Sequence, residues 1–220
     1  LARERLQAKS SSDWTLDIFG LCIQGLLIPA GQLVFIPLLL RSAWPQGLGS
    51  WNLPGWSAFL LAFIGTDLLY HFNHRILHRF VWPVHRVHHG VRDFDVFGTS
   101  RNPLWASFLL VYLWVDGAFL ALLNNPAPYA AGMLATQALD LWRHSDLDHP
   151  FQEWFLGWIF ITPRQHAWHH SAQGCDQNFG ANLNVWDRLT GTFHRPLQFP
   201  LELGLSQSLS PARQLGWPFP

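Results

Sequence analysis

Four apolar stretches, each close to the length that crosses a lipid bilayer, constrain this chain more than any other feature. They run roughly over 14–40, 54–71, 103–123 and 126–142. A hydrocarbon layer about 30 Å thick is crossed by about 20 helical residues. Composition agrees. The chain is 49% hydrophobic and only 13% charged, against about 25% charged in an average soluble domain. Polar surface is too scarce to coat a free globule, and the chain is too apolar for disorder. Two cysteines are too few for a disulfide scaffold, and a net formal charge of zero gives no reason to expect nucleic acid. The first stretch is too long for a cleaved signal peptide and is followed by further spans. The expected fold is all-α, a membrane-embedded bundle of about four transmembrane helices forming a single domain over 1–220. Leu1 stands where an initiator methionine would, so the chain reads as a fragment.

Arginine placement gives the expected orientation. Arg3, Arg5 and Lys9 precede the first span, and Arg75, Arg79, Arg86, Arg92 and Arg101 lie between the second and third. Arg143, Arg164, Arg188, Arg195 and Arg213 follow the fourth, whereas the other two loops hold only Arg41. Cytoplasmic loops carry the excess of Lys and Arg, which puts both termini and the 73–102 loop in the cytoplasm. Trp44, Trp51 and Trp56 suit an aromatic belt on the opposite side. The apolar run 154–161 is too short to span and suits a helix lying in the cytoplasmic interface.

The 12 histidines nearly match the 14 acids in number, and most fall into boxes near that cytoplasmic face. HFNHRILH holds His71, His74 and His78; HRVHH holds His85, His88 and His89; HAWHH holds His166, His169 and His170; His144 ends the fourth span. Offsets of three and four put imidazoles on one helical face. A lone HxxxH is weak, because paired surface histidines often do nothing. Two HxxHH boxes with an HxxxH in one short chain are specific, and they point to metal ligation over a solvated histidine face. The candidate ligands are His74, His78, His85, His88, His89, His144, His166, His169 and His170. Nine exceed the needs of one ion but give two ions four or five each. Imidazole alone does not choose among iron, zinc, copper and nickel. His149 fits no spacing pattern, and Cys22 and Cys175 are placed as incidental.

Intramembrane acids add a further layer. Asp67 precedes His71 by four residues and Asp140 precedes His144 by four, so each shares a helix face with a histidine. A carboxylate often accepts the outer N–H of a metal-bound imidazole. Asp67 and Asp140 are therefore candidates for orienting the ligands, and His71 is a candidate for an extra ligand or a neighbour of them. Asp116 has no histidine nearby and is expected to make a packing hydrogen bond to another span.

Taken in order, these motifs resemble the fatty acid hydroxylase/sterol desaturase superfamily of integral membrane di-iron oxygenases. The resemblance covers roughly 67–193. It is carried by Asp67, HRILH, Trp82, the closely following HRVHH, TSRNPL at 99–104, His144-Ser145, TPRQHAWHH at 162–170, NFG at 178–180 and WDRLTGT at 186–192. Through NFG and WDRLTGT it adds Asn178 and Asp187 to the residues that support the ligands. Three positions depart from the family pattern: His71 stands where an aromatic is usual, Ala167 for an arginine, and Thr190 for a phenylalanine.

The resemblance implies two iron ions on the cytoplasmic face, with zinc able to enter overexpressed material, and dioxygen as oxidant. It also implies a lipid substrate arriving from the bilayer. No flavin, nucleotide or haem motif is visible, so electrons must come from a separate donor of ferredoxin or cytochrome b5 type with its reductase. The expected activity is O2-dependent hydroxylation or desaturation of a lipid C–H bond by a multi-pass membrane protein with a histidine-rich cap from 73–102 and 143–195. A zinc-dependent membrane hydrolase is the main rival and lacks a glutamate in any box. A non-catalytic metal carrier would distribute its ligands along a transmembrane path, and a b-type cytochrome needs one or two histidines, not nine.

Overall fold

The computed structural model describes residues 9–174, 176–205 and 209–219. Arg3, Arg5 and Cys175 lie outside them. The described residues are helical, with three isolated bridges (Trp51 with Leu123, Phe160 with Leu183, Ser171 with Leu203) and no strand.

Helix α1, Ser11–Ala43, is 33 residues long, about 50 Å at 1.5 Å per residue. Ser10 caps it by accepting from the Asp13 amide at 3.1 Å. Its turns widen to π geometry over Gly20–Leu27 before Ile28–Ala43 resumes the α form. Only 17% of its most apolar window is buried. Leu26, Leu27, Val34 and Leu38 project outward, as apolar side chains do toward lipid. By length and hydropathy it is the one described helix that suffices to cross a membrane.

Helix α2 covers 55–80 and also carries a π-wound segment, Leu61–Gly65, before Thr66–Phe80. The short α3, Trp82–His85, follows, and Pro83 in its first turn accepts the loss of a backbone N–H there. Helix α4, Val111–Leu122, is shorter than the apolar stretch 103–123 that contains it. Residues 103–110 instead form turns whose backbone is satisfied from neighbouring helices. Gln24 of α1 accepts from the Ser107 amide at 2.9 Å, and Asn73 of α2 donates to Leu109 O and accepts from the Val111 amide at 3.1 and 3.0 Å. Apolarity alone does not report such a break, because buried polar side chains on other helices supply the lost hydrogen bonds.

Helix α5, Ala127–Arg143, crosses α2 closely. A Cβ on Gly132 would meet Phe59 O at 2.6 Å, so only glycine permits this approach. Ala58, Ala62, Leu123 and Tyr129 fill the crossing, with Phe119 and Met133 packed on them. Tyr129 donates to Asp116 at 2.8 Å, the interhelical bond expected of that acid. Beyond α5 lie α6 (Pro150–Phe155), α7 (Pro163–His169), α8 (Val185–Thr190) and α9 (Pro211–Leu215). The segment 49–52 pairs with 121–124 through Gly49 N to Ala121 O and Asn124 N to Trp51 O, both 3.0 Å. At the base of α1, Lys9 and Arg101 pair with Asp13, Asp17 and Asp95. Two of the counted cations are thus neutralised inside the protein.

Candidate metal centre

Five elements deliver histidines to one region. The end of α2 supplies His74 and His78, α3 and the tight turn at His88–Gly90 supply His85, His88 and His89, His144 caps the end of α5, and α7 with its capping residue supplies His166, His169 and His170. They sort into two groups, in each of which one nitrogen per ring lies within 4.8 Å of those of the other members. His74, His78, His85, His89 and His169 form one; His88, His144, His166 and His170 form the other. All nine candidate ligands are present, divided five and four.

Box boundaries do not follow the division. Pairs four residues apart stay together: His74 with His78, His85 with His89, and His166 with His170. The middle histidine of each HxxHH box crosses over, His88 to the second group and His169 to the first. For the second box this corrects the expectation of one helical face. Helix α3 stops at His85, and the turn that follows swings His88 away from its neighbours. The groups are adjacent, with the His89 and His170 rings stacked at 4.5 Å.

Hydrogen bonds fix which nitrogen faces inward. His74 Nδ1 donates to Phe179 O at 2.9 Å and His169 Nδ1 to Gln177 O at 2.7 Å. In a neutral ring the other nitrogen then carries a lone pair. The Nε2 atoms of these two residues face each other at 3.1 Å. Two lone pairs at that distance repel unless a cation lies between them. His144 Nδ1 likewise meets Asp140 O at 2.9 Å and the Asp140 carboxylate at 3.1 Å, while His78 Nδ1 meets Asp176 at 3.3 Å. Both nitrogens of His170 are buried without a partner. Inward N···N separations run from 2.8 Å (His74–His85) and 2.9 Å (His144–His166) to 3.4 Å (His88–His144). Nitrogens about 2.1 Å from a shared ion would be about 3.0–3.4 Å apart at octahedral or tetrahedral angles. The donor set fits a metal in each group.

Burial first, and neighbouring imidazoles second, hold His85, His88, His89, His166 and His170 well below the usual histidine range. The rings are therefore neutral at pH 7, the form that ligates metal.

The supporting residues act differently from the sequence expectation. Asp67 touches no histidine. Its carboxylate accepts from the amides of Ala181, Asn182 and Leu183 and from Trp186 Nε1, at 2.8–3.1 Å. Asp187 accepts from the amides of Phe179 and Gly180, both at 2.8 Å, and from Thr192 Oγ1 at 2.6 Å. Asn178, at φ 52°, donates to Gln165 O and His194 O and accepts from the His194 amide. These residues shape the 177–187 loop, whose Gln177 and Phe179 carbonyls orient His169 and His74. A Cβ on Gly180 would meet Leu183 O at 2.5 Å, so the loop can close only with glycine there. Of the acids expected to orient ligands, Asp140 contacts a candidate ligand directly, and Asp176, which the sequence did not single out, contacts His78. His71 lies in neither group; its Nε2 is 3.2 Å from Thr190 Oγ1 and its Nδ1 is 3.8 Å from Asp187. His149 caps α6 by accepting from the Phe151 amide.

Sequence reasoning missed Arg143. It is buried, donates to Ala181 O and pairs with Asp140. Its signal was available in the i, i+3, i+4 spacing of Asp140, Arg143 and His144. A cavity of about 310 Å³ opens beside both groups. Pro29, Ala62, Leu113 and Met133 line it together with Tyr70 and Tyr112, and His74, His85, His88 and His144 reach its wall.

The sequence profile of the fatty acid hydroxylase family matches residues 59–192, the region that contains every histidine of both groups. The chain belongs to this family. Among curated relatives, alkylglycerol monooxygenase of Xenopus tropicalis is 30% identical over 148 residues, 65% of this chain and 31% of the relative. The human protein of that name is 30% identical over the same length, with 65% and 32% covered. Ornithine lipid hydroxylase OlsE of Rhizobium tropici is 36% identical over 129 residues, 56% of this chain and 38% of the relative. The chain spans about a third of the length of these relatives. No solved structure matches.

Proposed function

We propose that this chain is an O2-dependent lipid hydroxylase or desaturase holding two iron ions, one in each histidine group. The observation that carries the reading is the single cavity bordered at once by apolar residues of α1, α2, α4 and α5 and by histidines of both groups. His74, His78, His85, His89 and His169 would hold one ion and His88, His144, His166 and His170 the other. When bound, two such redox-active ions supply reductive activation of dioxygen and removal of hydrogen from an unactivated C–H bond, giving an alcohol or a double bond.

The chain's own residues bind, orient and exclude water. The carbonyls of Phe179, Gln177 and Asp140 hold three rings with their lone pairs inward. Pro29, Leu113 and Met133 offer an apolar wall to a segment of lipid. The cavity is at the small end of ligand sites, so only the reacting segment enters while the rest of the lipid stays in the bilayer. The hydroxylase relatives support a lipid substrate and dioxygen. Electrons come from a separate ferredoxin-type or cytochrome b5-type donor.

The membrane reading is a four-span single domain with spans over 14–40, 54–71, 103–123 and 126–142. Its histidine end is cytoplasmic, a placement that the arginine asymmetry supports. Zinc can occupy imidazole sites in overexpressed protein. A zinc hydrolase is disfavoured because neither group contains a carboxylate to act as general base. The deciding experiment incubates protein, lipid and an added electron donor under 18O2. An alcohol product carries the label from dioxygen and none from labelled water, and a desaturated product still requires oxygen and electrons. Product formed under strict anaerobiosis without reductant would refute the reading.

A further inference from the structure

An apolar face on the histidine cap is left uncovered by the rest of the fold. Phe151, Trp154, Phe155, Trp158 and Ile159 project from α6 and the turn after it, and Leu189 projects from α8; these six are 57–74% exposed. Phe151 stacks on Phe155 at 5.9 Å and lies 6.3 Å from Trp154, and Arg188 of α8 lies 5.6 Å over the Trp158 ring. Large contiguous apolar patches on a folded surface mark interaction sites.

The depth of this face in the molecule follows from how its base is anchored. Residues 159–161 pair with 182–184, through Ile161 N to Asn182 O at 3.0 Å and Asn184 N to Ile159 O at 2.9 Å. Asn182 Nδ2 in turn donates to Phe63 O of α2 at 2.9 Å and to Thr136 Oγ1 of α5 at 2.8 Å. Phe63 lies eleven residues before His74, about 16 Å along the helix toward the opposite end. The apolar face is therefore tied to helix turns below the histidines, within the 54–71 and 126–142 spans.

We propose that this face is a second membrane contact, an in-plane platform that sinks into one leaflet of a phospholipid bilayer. It rests on the membrane-spanning reading above and adds that part of the cap, beyond the spans, is immersed. Tryptophan and phenylalanine suit the acyl and headgroup boundary. Arg188 and Arg195, stacked on Trp158 at 5.6 and 4.4 Å, hold guanidinium groups at the rim where lipid phosphates lie. The platform keeps the cavity within reach of lipid, so a substrate need not leave the bilayer.

The test uses the full chain in phospholipid nanodiscs, with Cys22 and Cys175 replaced by serine and single spin labels at Phe155→Cys, Leu189→Cys, Val34→Cys and Ala172→Cys. Collision with dioxygen, which concentrates in lipid, is compared with collision with a water-soluble nickel chelate. The platform predicts ratios at 155 and 189 close to that at 34 on α1 and far above that at 172. Nickel access at 155 and 189, with 34 still in lipid, overturns the platform alone. Shielding of 155 and 189 from both reagents means a protein partner and also overturns it. Nickel access at 34 defeats the membrane reading itself.

Discussion

His74 and His169 hold inward lone pairs 3.1 Å apart because backbone carbonyls occupy their other nitrogens. That geometry makes the 177–187 loop a determinant of the proposed metal site, although it contains no candidate ligand. Asp67→Asn replaces one acceptor oxygen with an NH2 facing donors, so loop and ligands loosen together. Metal affinity is expected to fall by ~10–100-fold, as it does when groups behind ligands are altered, read by equilibrium dialysis. His149→Ala removes only a helix cap, and metal content should be unchanged. Protonation gives a second test at this scale. His74, His78, His85, His88, His89, His166 and His170 are all held below their ordinary value, chiefly by burial. Unfolding returns each to about 6.5, so below that pH the unfolded chain binds more protons. The stability at stake is complete above about pH 6.5 and falls by up to about 1.4 kcal/mol per histidine for each unit below it. Metal-free protein should therefore melt at a much lower temperature at pH 5.5 than at pH 7.5; equal melting temperatures would contradict this. The nine histidines were legible because helical spacing is a local property. The contacts of Asp67 were not, since its partners lie 114 to 119 residues away.

At the scale of elements, hydrophobic stretches located α1, α2 and α5 well and α4 poorly. The 103–110 segment is as apolar as a helix but is turned, because Gln24 and Asn73 satisfy its backbone. Those two polar residues were the available signal, yet nothing in the sequence links them to a segment 30 or more residues onward. Gln24→Leu leaves the Ser107 amide and hydroxyl without their acceptor in an apolar surround. Such a loss costs about 1–3 kcal/mol per buried group, so the melting temperature should fall with metal content retained. The division of ligands is also an element property. Helix α3 ends at His85, and the turn after it sends His88 across to the second group. Spacing gave the counts of four and five but not their membership, which depends on where one short helix stops.

For the whole molecule, the paired segments 49–52 and 121–124 lie together at one end, joined by Asn124 and Trp51, and the histidine groups lie at the other. Cysteines introduced at the exposed Gln46 and Asn124 should be labelled by an impermeant reagent from one side of the membrane, and one at Gln173 from the other. Labelling of all three from one side would contradict the four-span arrangement. Two metal ions are proposed to occupy two distinct histidine groups whose boxes are interleaved. The most direct test of this proposal is the metal-to-protein ratio of anaerobically purified protein and of two variants drawn from the same box, His85→Ala and His88→Ala. Two ions per chain are expected in the parent and about one in each variant, the surviving ion differing between them by its spectroscopic signature. A ratio of one in the parent, or variants that lose the same ion, would contradict it.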